Sequence, residues 1–104
     1  MIATDVLTRL GEVKLKTAEA LRAAETDVGA SVVLVAVVRE FDHKADKATM
    51  SSDGDAAARD AVIELEQAGD SAKAAVEADT GVAQPTFQAV QDAHLAICIL
   101  KTEV

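Results

Sequence analysis

Residues 29–38, GASVVLVAVV, are apolar on every side of whatever element they form. No other stretch restricts the available folds as strongly. A surface helix carries one apolar stripe and a half-exposed strand alternates, so a run without a polar face calls for several neighbours. The uncharged stretch Val28 to Val38 has 11 residues, about half of the ~20 that a membrane-spanning helix needs. A buried strand suits the β-branched Val32, Val33, Val35, Val37 and Val38, with LAICIL (95–100) as partner. No hairpin turn links those two runs, however, and a two-stranded sheet is marginal. Charged residues at helical spacing follow at once in REFDHKADKA (39–48). The run reads as helix.

Composition agrees. Of the 104 residues 22 are Ala, while Phe41 and Phe87 are the only aromatics, and one Pro with five Gly supplies few turns. Antiparallel sandwiches and barrels lean on aromatics and regular turns, whereas Ala is the best helix former and lets helices approach closely. The expected class is all-α, in a single domain over residues 1–104.

Residues 4 to 24 form an amphipathic pattern with Val6, Leu10, Val13, Thr17, Leu21 and Ala24 on one stripe. The stripe continues in phase through Val28, Ser31, Val35 and Val38, and Glu25 and Asp27 carry the wrong charge for a helix C-terminus. These features predict one long helix over about 4–48, with Gly29 as the place for a kink. The SSDGD turn (51–55) ends it. A second helix follows over about 55–79, with Ala58, Ala61 or Val62, Leu65, Ala68 or Gly69, Ala72 and Ala75 or Val76 on a narrow stripe. TGVAQP (80–85) breaks that helix, and Pro85 opens a third over about 85–102. No internal repeat is apparent.

A long first helix leaves residues 4–24 projecting with their stripe bare, and such a stripe attracts a second copy. The expected assembly is a homodimer completing a small helical bundle. Its interface would comprise Val6, Leu10, Val13 and Leu21 on the projecting half, with Val33, Val37, Leu95 and Ile99 at its root. The competing architecture breaks the chain at Gly29 into a closed four-helix up-down bundle. It leaves Val33, Val37 and Ile99 without obvious cover.

The formal charge is −8, and residues 50–79 hold 8 acids against 2 bases. An acidic chain without a basic stripe is repelled by phosphate backbones, so neither nucleic acid nor an anionic membrane is an expected partner. The acidic helix 55–79 could dock a basic protein. The N-terminus lacks the pattern of a signal peptide, and the lone Cys98 excludes an intramolecular disulfide; both point to the cytoplasm.

Motifs for nucleotides, zinc proteases, redox dithiols and serine hydrolases are missing from the sequence. Residues 53–64 carry acids at the first, third and twelfth positions of a calcium loop, but Ala57 and Ala58 stand where a ligand and a Gly belong. His94 and Cys98 are one helical turn apart and could share a metal, yet zinc needs two further ligands. A core-edge His bonded to a neighbour, beside a thiol packed as a small hydrophobe, is the plainer expectation. Glu66, Asp70, Lys73 and Glu77 share a face, as do Glu40, His43 and Lys47, and ordinary surface pairing accounts for both. No catalytic residue, cofactor or metal is therefore expected. The sequence points to a non-enzymatic helical self-assembly or protein-interaction domain. A bundle binding a small apolar ligand is the alternative, and a metal-dependent phosphate-processing enzyme is a more distant one.

Overall fold

The computed structural model describes residues 3–50 and 55–103. Four helices follow one another: α1 (Ala3–Thr26), α2 (Val32–Met50), α3 (Asp55–Ala78) and α4 (Gln84–Lys101). Each packs against two others, α1 and α3 both lying between α2 and α4. This is the closed up-down bundle. The all-α bundle expected from sequence is therefore present, in its four-helix form. The continuous first helix is not: over 4–48 it would be about 65 Å long, and the molecule measures 42 Å along its longest axis. Among the described residues, no helix is long and apolar enough to cross a membrane.

The unbroken apolar phase across residues 24–38 turns out to be coincidental. Val28 is fully exposed at the turn, and Ser31 faces solvent. What ends α1 is a side chain that offers the backbone another partner. Asp27 Oδ1 accepts from the Gly29 amide at 2.9 Å, forming a local turn in place of the next helical bond. Ser31 then caps α2, its hydroxyl oxygen accepting from the Leu34 amide at 3.1 Å.

The same device ends α3. Asp79 Oδ1 accepts from the Gly81 amide at 3.0 Å. The two turns lie side by side and exchange bonds: Asp27 Oδ2 takes the Ala83 amide, and Asp79 Oδ2 takes the Ser31 amide, each at 2.8 Å. Between them the backbones of Gly29 and Gly81 meet so closely that a Cβ on either would overlap the other's carbonyl oxygen. Glycine is required here by close approach, not by a left-handed backbone.

The reciprocal exchange reveals a repeat that the sequence conceals. When Asp27 is set on Asp79, Gly29 falls on Gly81, Ser31 on Ala83 and Val38 on Val90. Every buried position of the α1–α2 hairpin then falls on a buried position of the α3–α4 hairpin. Polar contacts repeat too: Arg39 reaches Glu25 at 3.1 Å, and Gln91, its counterpart, reaches Glu77 at 3.4 Å. The expectation of no internal repeat is corrected. Few residues are identical because the halves share burial and shape, with volumes exchanged between them. Phe41 stands over Ala93 and Thr17 over Gly69 in this alignment, and the missing side chain at Gly69 makes room for the Phe41 ring.

The core between the helices is continuous, from Leu10 and Val13 through Leu34, Val38, Phe41, Val62, Leu65, Val90 and Ile97 to Leu100. Its only buried polar residues among those described are Thr17 and Thr86, and both hydroxyls are bonded, to Asp42 and to the Ala23 carbonyl. Val32 and Val33 lie outside this core at 85% and 68% exposure, as do Leu95 and Ile99 at 58% and 48%. Apolar residues all around a helix thus did not guarantee enclosure within the single chain.

Gly29→Ala or Gly81→Ala should cost about 2 kcal/mol or more in urea denaturation, as a forced overlap with fixed backbone. Gly11→Ala, whose Cβ meets nothing within 4 Å, should instead stabilise by up to ~1 kcal/mol through helix propensity. Asp27 is held below the ordinary carboxylate pKa chiefly by the Ala83 amide, then by Thr86 and Gly29. Asp79 is lowered by the Ser31 and Gly81 amides, against some burial and the repulsion of Asp27. A lowered folded pKa means stability that is present above the unfolded value and lost as pH falls through the folded one. Thermal melts should therefore show stability declining below about pH 4, and Asp27→Ala with Asp79→Ala should remove much of that decline.

Candidate functional site

The richest cluster of reactive side chains lies along the groove between α3 and α4. His94 and Cys98 stand one turn apart on the edge of α4 that faces α3, and Asp70 meets them from α3. His94 Nε2 lies 2.8 Å from Asp70 Oδ1, with the imidazole only 15% exposed. Cys98 Sγ lies 3.5 Å from Nε2 and 3.8 Å from Nδ1 of the same ring. The three ligand-type atoms all fall within 4.8 Å of one another. One turn towards the start of α3, Glu66 accepts from Lys101 Nζ at 3.2 Å. One turn beyond Lys73, Glu77 takes the Lys73 ammonium at 2.7 Å.

The expectation of a core-edge His bonded to a neighbour describes this geometry, but the sequence did not name the neighbour. Asp70 was visible only as a member of an acidic face. Its pairing with His94 required the register of α3 against α4, which residue spacing within one helix does not contain. The Cys98 thiol is pushed above its ordinary pKa, first by burial and then by the carboxylates of Glu66 and Asp70. That shift favours the thiol over the more nucleophilic thiolate.

The corresponding groove between α1 and α2 uses the same positions differently. Asp42 aligns with His94 and Asp46 with Cys98, and the Lys14 ammonium sits between the two carboxylates at 2.7 and 3.2 Å. Thr17 adds a hydroxyl bond to Asp42 at 2.8 Å. Burial alone would lower the Lys14 pKa, but the two carboxylates outweigh it and hold the ammonium above its ordinary value. Of the other shared face, Glu40 lies 3.8 Å from Lys44 and His43 is exposed. In the stretch tested as a calcium loop, Asp55 to Glu64 is helical, while Asp53 lies outside the described residues.

The residues expected to carry assembly are dispersed. Leu10 and Val13 are sealed in the chain's own core at 0% and 2% exposure, because the break at Asp27 lets α4 and α2 flank α1. No second copy can reach them in the folded chain, and that part of the expected interface is corrected. Val6 and Leu21 are half-buried against the core, as is Val37. Val33, Leu95 and Ile99 are exposed. Val37 borders an apolar groove of about 290 Å³ between α2 and α3, lined with Ala36, Glu40, Ala68 and Ser71. The acidic face of α3 is largely engaged within the chain: Glu64 pairs with Lys44, Glu66 with Lys101, Asp70 with His94 and Glu77 with Lys73.

No family model, curated protein or solved structure matches the chain.

If the acidic neighbours suppress the thiol, Glu66→Gln and Asp70→Asn should each quicken alkylation of Cys98 by iodoacetamide at neutral pH. The midpoint of the rate–pH profile should move down in both variants.

Proposed function

We propose that the protein is a non-enzymatic, cytoplasmic helical module whose role is association with a second copy of itself. The observation that carries this reading is the exposed aliphatic surface left once the core is complete: Val32 and Val33 at 85% and 68%, beside the half-buried Val37 and the groove floored by Ala68. Side chains of that kind gain from being covered, and small residues in the groove permit close approach of another helix. A two-fold pairing across the α2–α3 face brings equivalent patches together without exposing new ones. Leu95 and Ile99 on α4 lie outside this patch and mark a separate surface.

Docking of a basic partner on α3 has less support, because Glu64, Glu66 and Glu77 already have cationic partners in the chain and Asp70 is bonded to His94. An apolar ligand between helices has less support too. The interior is filled by Ala and by Phe41 seated against Gly69, and the α2–α3 groove is at the small end for a ligand site.

Light scattering on a size-exclusion column should give twice the chain mass of 10.8 kDa. Val33→Glu with Val37→Glu should return the mass to that of one chain while circular dichroism keeps its helical signal, since neither residue is fully buried. A wild-type protein that stays a single chain at ~100 µM would remove the proposal.

A further inference from the structure

We propose that Asp70, His94 and Cys98 bind one divalent transition-metal ion of the zinc class, which fastens α3 to α4. The site goes beyond the self-association reading and is independent of it.

The geometry is the first support. Zinc sits about 2.0–2.3 Å from oxygen, nitrogen and sulfur donors in a tetrahedron, so its donor atoms stand roughly 3.3–3.7 Å apart. Cys98 Sγ and His94 Nε2 are already 3.5 Å apart. Asp70 Oδ1 lies closer, at 2.8 Å from Nε2, a hydrogen-bonding distance that has to open by about half an ångström. Asp70 can make that movement because its side chain is 55% exposed. His94 and Cys98 sit on adjacent turns of one helix, which fixes two of the three donors on a rigid backbone.

The second support is the internal repeat. Position for position, the α1–α2 groove places a cation between the residues that align with His94 and Cys98. There Asp42 and Asp46 clamp the ammonium of Lys14. In the α3–α4 groove the residue aligned with Lys14 is Glu66, and Asp70 replaces the inert Ala18. The second hairpin therefore keeps a pair of side chains one turn apart at this place, exchanges the built-in cation for an acid, and adds a third ligand. A thiol and an imidazole in place of two carboxylates also change which cation suits the groove. Ammonium, magnesium and calcium prefer oxygen donors, whereas nitrogen and sulfur with one carboxylate select zinc and its neighbours.

Binding needs Cys98 as thiolate, so one proton leaves as the Cys98 S–H bond is replaced by the metal–sulfur bond. The fourth coordination position is open to water. Glu66, one turn before Asp70, and Glu77, two turns after it, hold Lys101 and Lys73, which keeps both ammonium groups paired beside the site.

The test uses untagged, chelator-treated full-length protein titrated with Zn²⁺ alone by calorimetry, and with Co²⁺ as an optical probe. The expected result is one ion per chain, a rise in melting temperature, and a Co²⁺ spectrum with a sulfur charge-transfer band and tetrahedral visible bands. Cys98→Ser should abolish the charge-transfer band, and Cys98→Ser, His94→Gln and Asp70→Asn should each weaken Zn²⁺ at least tenfold. Asp42→Asn, in the equivalent groove, should leave Zn²⁺ affinity unchanged. Absence of stoichiometric Zn²⁺ binding at ~100 µM protein, one ion shared by two chains, or binding that survives Cys98→Ser unaltered would each overturn the proposal.

Discussion

Everything in this fold depends on two aspartates that each hold two turns at once. Asp27 and Asp79 use one carboxylate oxygen to stop their own helix and the other to take a backbone amide from the opposite turn. An unbroken helix from the N-terminus would leave the apolar face of residues 6–24 without cover. Once the chain folds back at Gly29, the same face meets α2 on one side and α4 on the other. The contact of Gly29 with Gly81 sets how closely the two hairpins come together, and any side chain there would prise that end of the bundle open. Because each aspartate depends on the other's turn, the clasp forms only when both hairpins are in place.

Quasi-symmetry follows from this arrangement and shapes the rest of the molecule. Two hairpins with matching burial meet around one axis, and their core volumes are traded between halves instead of duplicated. Phe41 fills space that Gly69 vacates; Ile97 and Leu100 supply bulk where the first hairpin has Ala45 and Ala48. The polar grooves on the two sides diverged while keeping their positions. One holds the Lys14 ammonium between Asp42 and Asp46, joining α1 to α2. The other holds an acid, an imidazole and a thiol at the corresponding place.

Much of the architecture was readable in residue spacing. Of the expected stripes, Val62, Leu65, Ala68, Gly69, Ala72 and Val76 are buried on α3 and Leu10, Val13, Thr17 and Ala24 on α1, while Ala61, Ala75, Val6 and Leu21 are only partly covered. Helix class, the starts of α3 and α4, and, among the described residues, the lack of a membrane-length apolar helix all rest on local composition that tertiary contacts did not override. The break after Thr26 was misread because its signal was spread over the chain. Asp27 and Gly29 look like poor helix termination until Asp79 and Gly81, far along the sequence, supply the second half of the motif. The same break buries Leu10 and Val13, which would be bare only if α1 and α2 formed one rod.

By itself, then, the sequence determined that the chain is helical and which face of each helix is apolar, since both follow from contacts three or four positions apart. Tertiary structure decided where the first helix ends, that the two hairpins repeat one another, and that Asp70 meets His94 and Cys98. Those outcomes depend on amide, carboxylate and ring atoms from distant segments arriving within 3–4 Å, and no periodicity along a single helix encodes that distance.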